Sequence, residues 1–326
     1  MLSDDELFPD SEDEKPQKTK KIIHKDSSNK DNTQYEKPLK TKKELKNELS
    51  SNVLSNRKNI KEEEEENNRS YFKVKFGNPV LLKKIIEGIK EIVEAAKFSW
   101  SSKGLEIITM DSSHVSLIHL HIDQTGFDEY ECSRYIEIGI NIEFFYKIIK
   151  TANNDDKIVI EYSDDKVEES VSIKMERPNK KSQHFSLKLL DIVIDPLDIP
   201  HIEHDSITHF NSKKFKKYCN DAINLKAEEM IIRSIDNEII FEYEGNSIES
   251  KIYAETDEIV KYSNNIKVIV SLVKLCVFIK ATSLSDKLII SISHDFPLLL
   301  EYPICDGTIN IGFLKFYLAP KNDVAQ

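Results

Sequence analysis

Glycine is scarce in this chain: 8 residues of 326. Neither GxxxxGK[ST] nor GxGxxG occurs, so the phosphate-cradling loops of nucleotide-binding proteins are missing. The four cysteines, Cys132, Cys219, Cys276 and Cys305, include no CxxC pair. That argues against a zinc site or redox motif and for a reducing compartment. No apolar run approaches the ~18 residues needed to span a bilayer. The N-terminus, MLSDDELFPDSEDE, has no apolar segment of the secretory kind. These absences lead to the expectation of a soluble intracellular protein with no cofactor, no metal and no membrane partner.

Charge is abundant. There are 57 acidic and 46 basic residues, a net formal charge of −11, which favours solubility and leaves open where the basic residues gather. Residues 1–70 are rich in Lys, Glu, Asp, Ser and Asn and poor in aromatics. Such a segment cannot bury enough apolar surface to offset its ordering entropy, and the expectation is a disordered charged tail. Lys37–Lys43 (KPLKTKK) reads as a nuclear import signal or a solvated linker, and Asp4–Phe8 (DDELF) as a weak docking peptide. Lys, Asn, Ile and Glu are frequent, which points to an AT-rich genome.

Ordered patterning begins at Tyr71. Phe72–Phe76 alternates as a strand. Val80–Ala96 carries Leu82, Ile85, Ile86, Ile89, Ile92 and Val93 at helical spacing. Strands are expected at Phe98–Trp100, Gly104–Met110, Val115–Ile122, Tyr135–Ile140, Lys157–Tyr162, Val171–Met175 and His184–Leu190, with a short helix over Ile142–Lys150. The chain then repeats. Ile149-Lys150-Thr151 with Asp156–Ile160 matches Ile279-Lys280-Ala281 with Asp286–Ile290, 130 residues on. At the same offset Lys83-Lys84 meets Lys213-Lys214. A period this long indicates a duplicated domain. The expected organisation is a domain over 71–186, a connector over 187–205, a second domain over 206–321 and a short tail at 322–326.

All four expected helices carry lysine: Lys83, Lys84 and Lys90; Lys147 and Lys150; Lys213, Lys214, Lys216 and Lys217; Lys267, Lys274 and Lys280. On one helix this would be a solvated face. On four helices related by a repeat it implies a shared positive surface for phosphate, blind to base sequence. Glu87, Glu91 and Glu143 interrupt it, so contact with DNA should be weak and salt-sensitive.

Four segments, MDSSHVSL (Met110–Leu117), LLDIVIDPLDIP (Leu189–Pro200), FPLLLEY (Phe296–Tyr302) and FLKFYLAPK (Phe313–Lys321), resemble the hallmark segments of the proliferating cell nuclear antigen family, the eukaryotic-type DNA sliding clamps. The resemblance runs from Phe72 to Lys321 and leaves the tail out. It implies an α+β DNA clamp fold of two similar domains, each of duplicated βαβββ units. Three subunits would close head-to-tail into a homotrimeric ring with the helices lining a hole for duplex DNA.

By that resemblance Lys83, Lys84, Lys90, Lys147, Lys150, Lys217 and Lys280 match basic channel positions. Lys213 and Lys214 join them from their place on the third helix. Asn220 and Val273 stand where the family has basic residues, and Asp236 where many members carry a modifiable lysine. The implied partner-peptide pocket comprises Met110, His114, Val115, Leu197, Ile199, Pro297, Tyr317, Leu318, Ala319, Pro320 and Lys321. It would receive a helical turn with one aliphatic and two aromatic anchors. The implied function is non-enzymatic: a processivity factor for DNA polymerase in replication and repair, opened by an ATP-driven clamp loader. It would work in a nucleus, or at a cytoplasmic replication site if virus-encoded.

Competing readings follow from the same residues. Asp111, Ser112, Ser113 and His114 contain the residue types of a hydrolytic triad, but no GxSxG elbow is present and adjacent residues do not form a triad. His119 and His121 share a strand face and could begin a metal site that lacks a third ligand. Within the clamp fold the alternative is a subunit of a heterotrimeric DNA-damage checkpoint clamp. A monomeric scaffold that binds partners through its tail is a third class.

Overall fold

The structure is a computed structural model. It describes residues 69–321 apart from 166–168, 179–180, 194–196, 198, 200–201, 246 and 295. Residues 1–68 of the expected tail, with the import signal and docking peptide, and residues 322–326 lie outside the described residues.

The first half begins with β1 (Tyr71–Phe76), α1 (Pro79–Ile89), β2 (Ala95–Ser101), β3 (Gly104–Met110) and β4 (Ser116–Asp123). It continues with β5 (Glu129–Cys132), β6 (Ile136–Asn141), α2 (Ile142–Lys150), β7 (Lys157–Ser163), β8 (Ser170–Glu176) and β9 (Gln183–Lys188). The second half repeats this order: β10 (Ser206–Asn211), α3 (Ser212–Asn224), β11 (Glu229–Ile235), β12 (Glu238–Glu244), β13 (Glu249–Tyr253) and β14 (Glu258–Lys261). Then come β15 (Ile266–Ser271), α4 (Leu272–Phe278) with a 3-10 turn at Ile279–Ser283, β16 (Lys287–Ile292), β17 (Leu298–Asp306) and β18 (Ile309–Leu318).

Each helix follows a strand directly, and asparagine makes three of the four transitions. Asn78, Asn141 and Asn211 accept hydrogen bonds from the backbone N–H groups of Leu81 (3.1 Å), Phe144 (2.9 Å) and Lys213 (3.1 Å). Each cap satisfies a donor that the first helical turn would leave orphaned. Ser271, the fourth, makes no side-chain cap bond. The periodicity that extended the first helix to Ala96 stops at Ile89. Ala95 and Ala96 pair instead with Asn141 and Ile140 across β2 and β6, so sheet pairing overrides local helical spacing.

The caps also correct the repeat. Asn78 and Asn211 stand 133 residues apart, and the buried Leu82, Ile86 and Ile89 of α1 coincide at that spacing with Phe215, Cys219 and Ala222 of α3. Lys83 and Lys84 therefore correspond to Lys216 and Lys217, not to Lys213 and Lys214. The 130-residue spacing holds for α2 and α4, where Ile142, Phe145 and Ile149 coincide with Leu272, Leu275 and Ile279. Lys267 lies in β15 rather than on a helix, and Lys280 in the 3-10 turn.

Among the described residues three antiparallel sheets result. Their orders are β5-β1-β7-β8-β9, then β14-β10-β16-β17-β18-β4-β3-β2-β6, then β13-β12-β11-β15. The nine-stranded sheet crosses the junction, because β18 of the second half pairs with β4 of the first from Gly312↔Ile122 to Leu318↔Ser116. A Cβ on Gly312 would lie 2.0 Å from the His121 carbonyl oxygen, so only glycine allows the seam to close there. At the far end, Leu190 donates its N–H to the Gly139 carbonyl at 2.9 Å, and a Cβ on Gly139 would meet the Leu190 oxygen. The segment after β9 is thereby laid along β6.

Apolar residues from sheets and helices form the core. In the second half Phe316 stacks on Phe278 at 4.7 Å between centroids and meets Tyr302 edge-on at 6.0 Å. Phe316 is fully buried and lies opposite Ile118 across the seam. Phe316→Ala should lower stability by about 3–5 kcal/mol, read as an earlier midpoint in urea unfolding followed by tryptophan fluorescence. Because Trp100 lies in the other half, an unchanged Trp100 transition would show that the seam does not join the two halves cooperatively.

Candidate partner groove and lysine-bearing helices

The MDSSHV segment is the turn between β3 and β4, and one carboxylate organises it. Asp111 is 4% exposed. Its Oδ1 accepts from the N–H groups of Val115 (3.0 Å) and Ser116 (2.9 Å). Its Oδ2 accepts from the Ser113 hydroxyl at 2.5 Å and from the Lys274 ammonium of α4. The backbone closes the same loop through Asp111 N–H to the Ser116 oxygen (2.9 Å) and His114 N–H to the Asp111 oxygen (3.0 Å). His114 pays for this geometry with a φ of 55°. Burial alone would raise the Asp111 carboxyl. Lys274, Ser113 and the Ser116 N–H outweigh it and hold the pKa down to about 2. The aspartate is thus a scaffold for the turn, and Ser113 donates to it rather than facing a histidine base.

Beside this turn lies an apolar cavity of about 300 Å³. Met110, His114, Val115 and Leu117 form one wall; Tyr317 and Ala319 at the end of β18 form another; Phe296 and Pro297 precede β17; Ile199 and Ile202 come from the connector. The wall is continuous because Ala319 donates its N–H to the Val115 oxygen at 2.9 Å. Val115 and Phe296 remain 39% and 40% exposed. Alternation along β18 turns Tyr317 toward the cavity and Leu318, 1% exposed, into the core. Leu197 is half-buried and outside the lining, Pro320 is exposed, and Lys321 pairs with Glu229 at 2.5 Å. Leu117, Ile202 and Phe296 were missed in the sequence. Their positions next to Val115, Ile199 and Pro297 were the available signal, but which face each takes depends on strand register.

The lysines gather on packed helices. The first helix, α1, packs on α2 and on the 3-10 turn, and α3 packs on α4 and on the same turn. Lys83 donates to the Ala152 oxygen just past α2 at 2.5 Å. Lys90 pairs with Glu91 at 2.5 Å and lies 5.1 Å from the Tyr146 ring centroid, and Lys280 pairs with the same Glu91 at 3.3 Å. Lys147 pairs with Glu143, and Lys150 lies 6.0 Å from the Tyr146 ring. On α3, Lys213, Lys214 and Lys217 pair with Asp286, Glu255 and Asp221. Such exposed pairs are weakly held and free to exchange for phosphate. Lys274 differs from the rest of this set, since it turns away to Asp111.

The two histidines on β4 have other roles. His119 donates from Nε2 to the Glu106 carboxylate at 2.9 Å and packs edge-on against Phe313, and its burial lowers its pKa. Among the described residues no group of three or more His, Cys, Asp or Glu side chains stands close enough to hold a metal ion, and no helix is long and apolar enough to cross a membrane.

Two family models match the chain in succession from residue 71 to residue 321. The N-terminal domain of proliferating cell nuclear antigen matches residues 71–197 and its C-terminal domain residues 198–321. The chain belongs to the proliferating cell nuclear antigen family. It is 32% identical over 261 residues to the proliferating cell nuclear antigen of Caenorhabditis elegans, covering 77% of this chain and 97% of the relative. Its fold is the DNA clamp fold, and the family is one of non-enzymatic sliding clamps.

Asp111→Asn tests the turn. A depressed carboxyl contributes stability above the pKa of an unfolded aspartate, about 4, and loses it as pH falls through about 2. The variant should therefore be less stable than the parent by about 2 kcal/mol at pH 7. The gap should narrow as pH falls below 4. Urea midpoints at pH 7 and pH 3 measure both.

Proposed function

We propose that three copies of this chain close into a ring around duplex DNA and tether a DNA polymerase by topology rather than by tight binding. The observation that carries this reading is a pair of unmatched edges. Within the chain, β18 pairs with β4. Their counterparts in the repeat, β9 and β13, pair with β8 and β12 on one side, and each ends a sheet with no strand on its outer edge among the described residues. Laying one half on the other, strand by strand, puts Phe185 in the place of Phe316 and Ser250 in that of Ile118. A second copy would then add its β13 to β9 antiparallel, with Phe185 opposite Ser250 and Leu187 opposite Ile248. The exposed apolar residues at this edge, Ile248 (49%) and Tyr253 (59%), fit such burial. Edges of this kind invite pairing with another chain, and a head-to-tail contact closes into a ring when its rotation permits.

In that ring the lysines of α1, α2 and α3 and Lys280 would face the DNA, contacting phosphates without reading sequence. The apolar groove would dock peptide segments of polymerase and repair proteins, with Met110 adapting to varied anchors. Opening the ring would fall to a separate ATP-driven loader. The place of action would be a nucleus, or a cytoplasmic replication site for a virus-encoded clamp.

Light scattering after size-exclusion chromatography should give three times the 37.7 kDa subunit mass. With Cys132 and Cys305 replaced by serine, Phe185→Cys with Ser250→Cys should cross-link to dimers and trimers with a short bis-maleimide. A monomer at micromolar concentration would sink the homotrimer and favour a heteromeric checkpoint-type clamp.

DNA contact is tested separately. Lys84→Ala and Lys217→Ala should each weaken duplex binding equally on unrelated sequences and reduce the slope of log K against log salt by about 0.9 for each of the three ring copies whose lysine touches phosphate. An unchanged slope would remove that lysine from the DNA surface.

A further inference from the structure

Lys274 is the one lysine of the helical set that leaves the shared surface, and its destination is the turn that walls the groove. Its ammonium reaches the buried Asp111 Oδ2 and donates to the Ser113 hydroxyl at 2.9 Å, 161 residues away in sequence. On its other oxygen the same carboxylate holds the N–H groups of Val115 and Ser116. Val115 lines the groove and takes the Ala319 N–H, and Ala319 lines the opposite wall. The chain of contacts from α4 to both walls therefore runs through one ion pair.

We infer that Lys274 is a positioning residue for the groove: its charge, delivered from the second half, fixes the Asp111 turn in the shape that accepts a peptide. The inference rests on the peptide-docking reading above. The physical ground is asymmetry. Left without Lys274, the Asp111 carboxylate is a buried charge with only neutral donors, and such a group relaxes toward water. The turn would follow it, because His114 is held at positive φ only while the loop is closed. Val115 and His114 would then leave the wall. Position 144 of α2, which corresponds to 274 of α4 at the 130-residue spacing, is phenylalanine and 55% exposed. The ionic link is thus confined to one of the two equivalent sites, the one with the apolar groove beside it.

The test uses the full-length chain and a fluorescein-labelled synthetic peptide carrying one aliphatic and two adjacent aromatic anchors. Lys274→Met should weaken peptide binding by about tenfold, the effect of losing one charge-assisted contact. Lys274→Arg should remain close to the parent. The assembly mass by light scattering and the salt slope of duplex DNA binding should not change in either. If the parent itself does not bind the peptide, the docking reading fails and this inference with it. If the parent binds and Lys274→Met binds equally well, the inference alone is overturned. Equal weakening by Met and Arg overturns it too, because general damage to α4 would then explain the loss. Should Lys274→Met fail to fold, Lys274→Gln, which keeps a donor without the charge, decides by the same comparison.

Discussion

The antiparallel ladder between β4 and β18 is the contact on which the rest of this structure depends. It joins strands from opposite halves into one nine-stranded sheet and fixes their register. The register in turn decides which residues face inward. Phe316 and Ile118 go to the core, and Tyr317 and Leu117 go to the outer face. A slip of one residue would exchange those sets and remove both the core stacking and the groove. Gly312 marks how tightly the seam closes, since no side chain fits at that backbone approach.

The groove sits at the end of this seam for the same reason. Turns, strand ends and the connector converge where the two halves meet, and none of them could form a cavity alone. Met110 to Leu117 come from the first half, Phe296, Pro297, Tyr317 and Ala319 from the second. Asp111 and Lys274 cross the same boundary with opposite charges. A groove assembled this way is only as ordered as the junction beneath it, which links its shape to stability at the seam.

Much of this was legible in the chain itself. Alternation located β1, β3, β4 and β7 to within a residue or so, because half-buried strands must alternate. The short helix Ile142–Lys150 was read at its observed bounds, its apolar face and preceding asparagine both being local signals. The first helix was read too long, because Ile92 and Val93 continue its spacing while pairing of β2 with β6 claims the chain a few residues later. The duplication was visible, but its first register was misjudged: adjacent lysines on a solvated face are weaker markers than the buried Leu82 and Phe215. Among groove residues, Leu318 was placed by its neighbours and belongs to the core, whereas Ile202 and Phe296 required the tertiary arrangement.

By itself, then, the sequence determined the family, the α+β class, the two-fold repeat and the concentration of lysine on helices, because composition, periodicity and local motifs are properties of short stretches. Only the tertiary structure decided that Lys274 serves a turn 163 residues away rather than the lysine surface. It also decided the register with which β9 and β13 pair with β8 and β12 and so end their sheets. Both are outcomes of which distant segments meet, and a linear pattern does not encode which of several lysines will find a buried carboxylate.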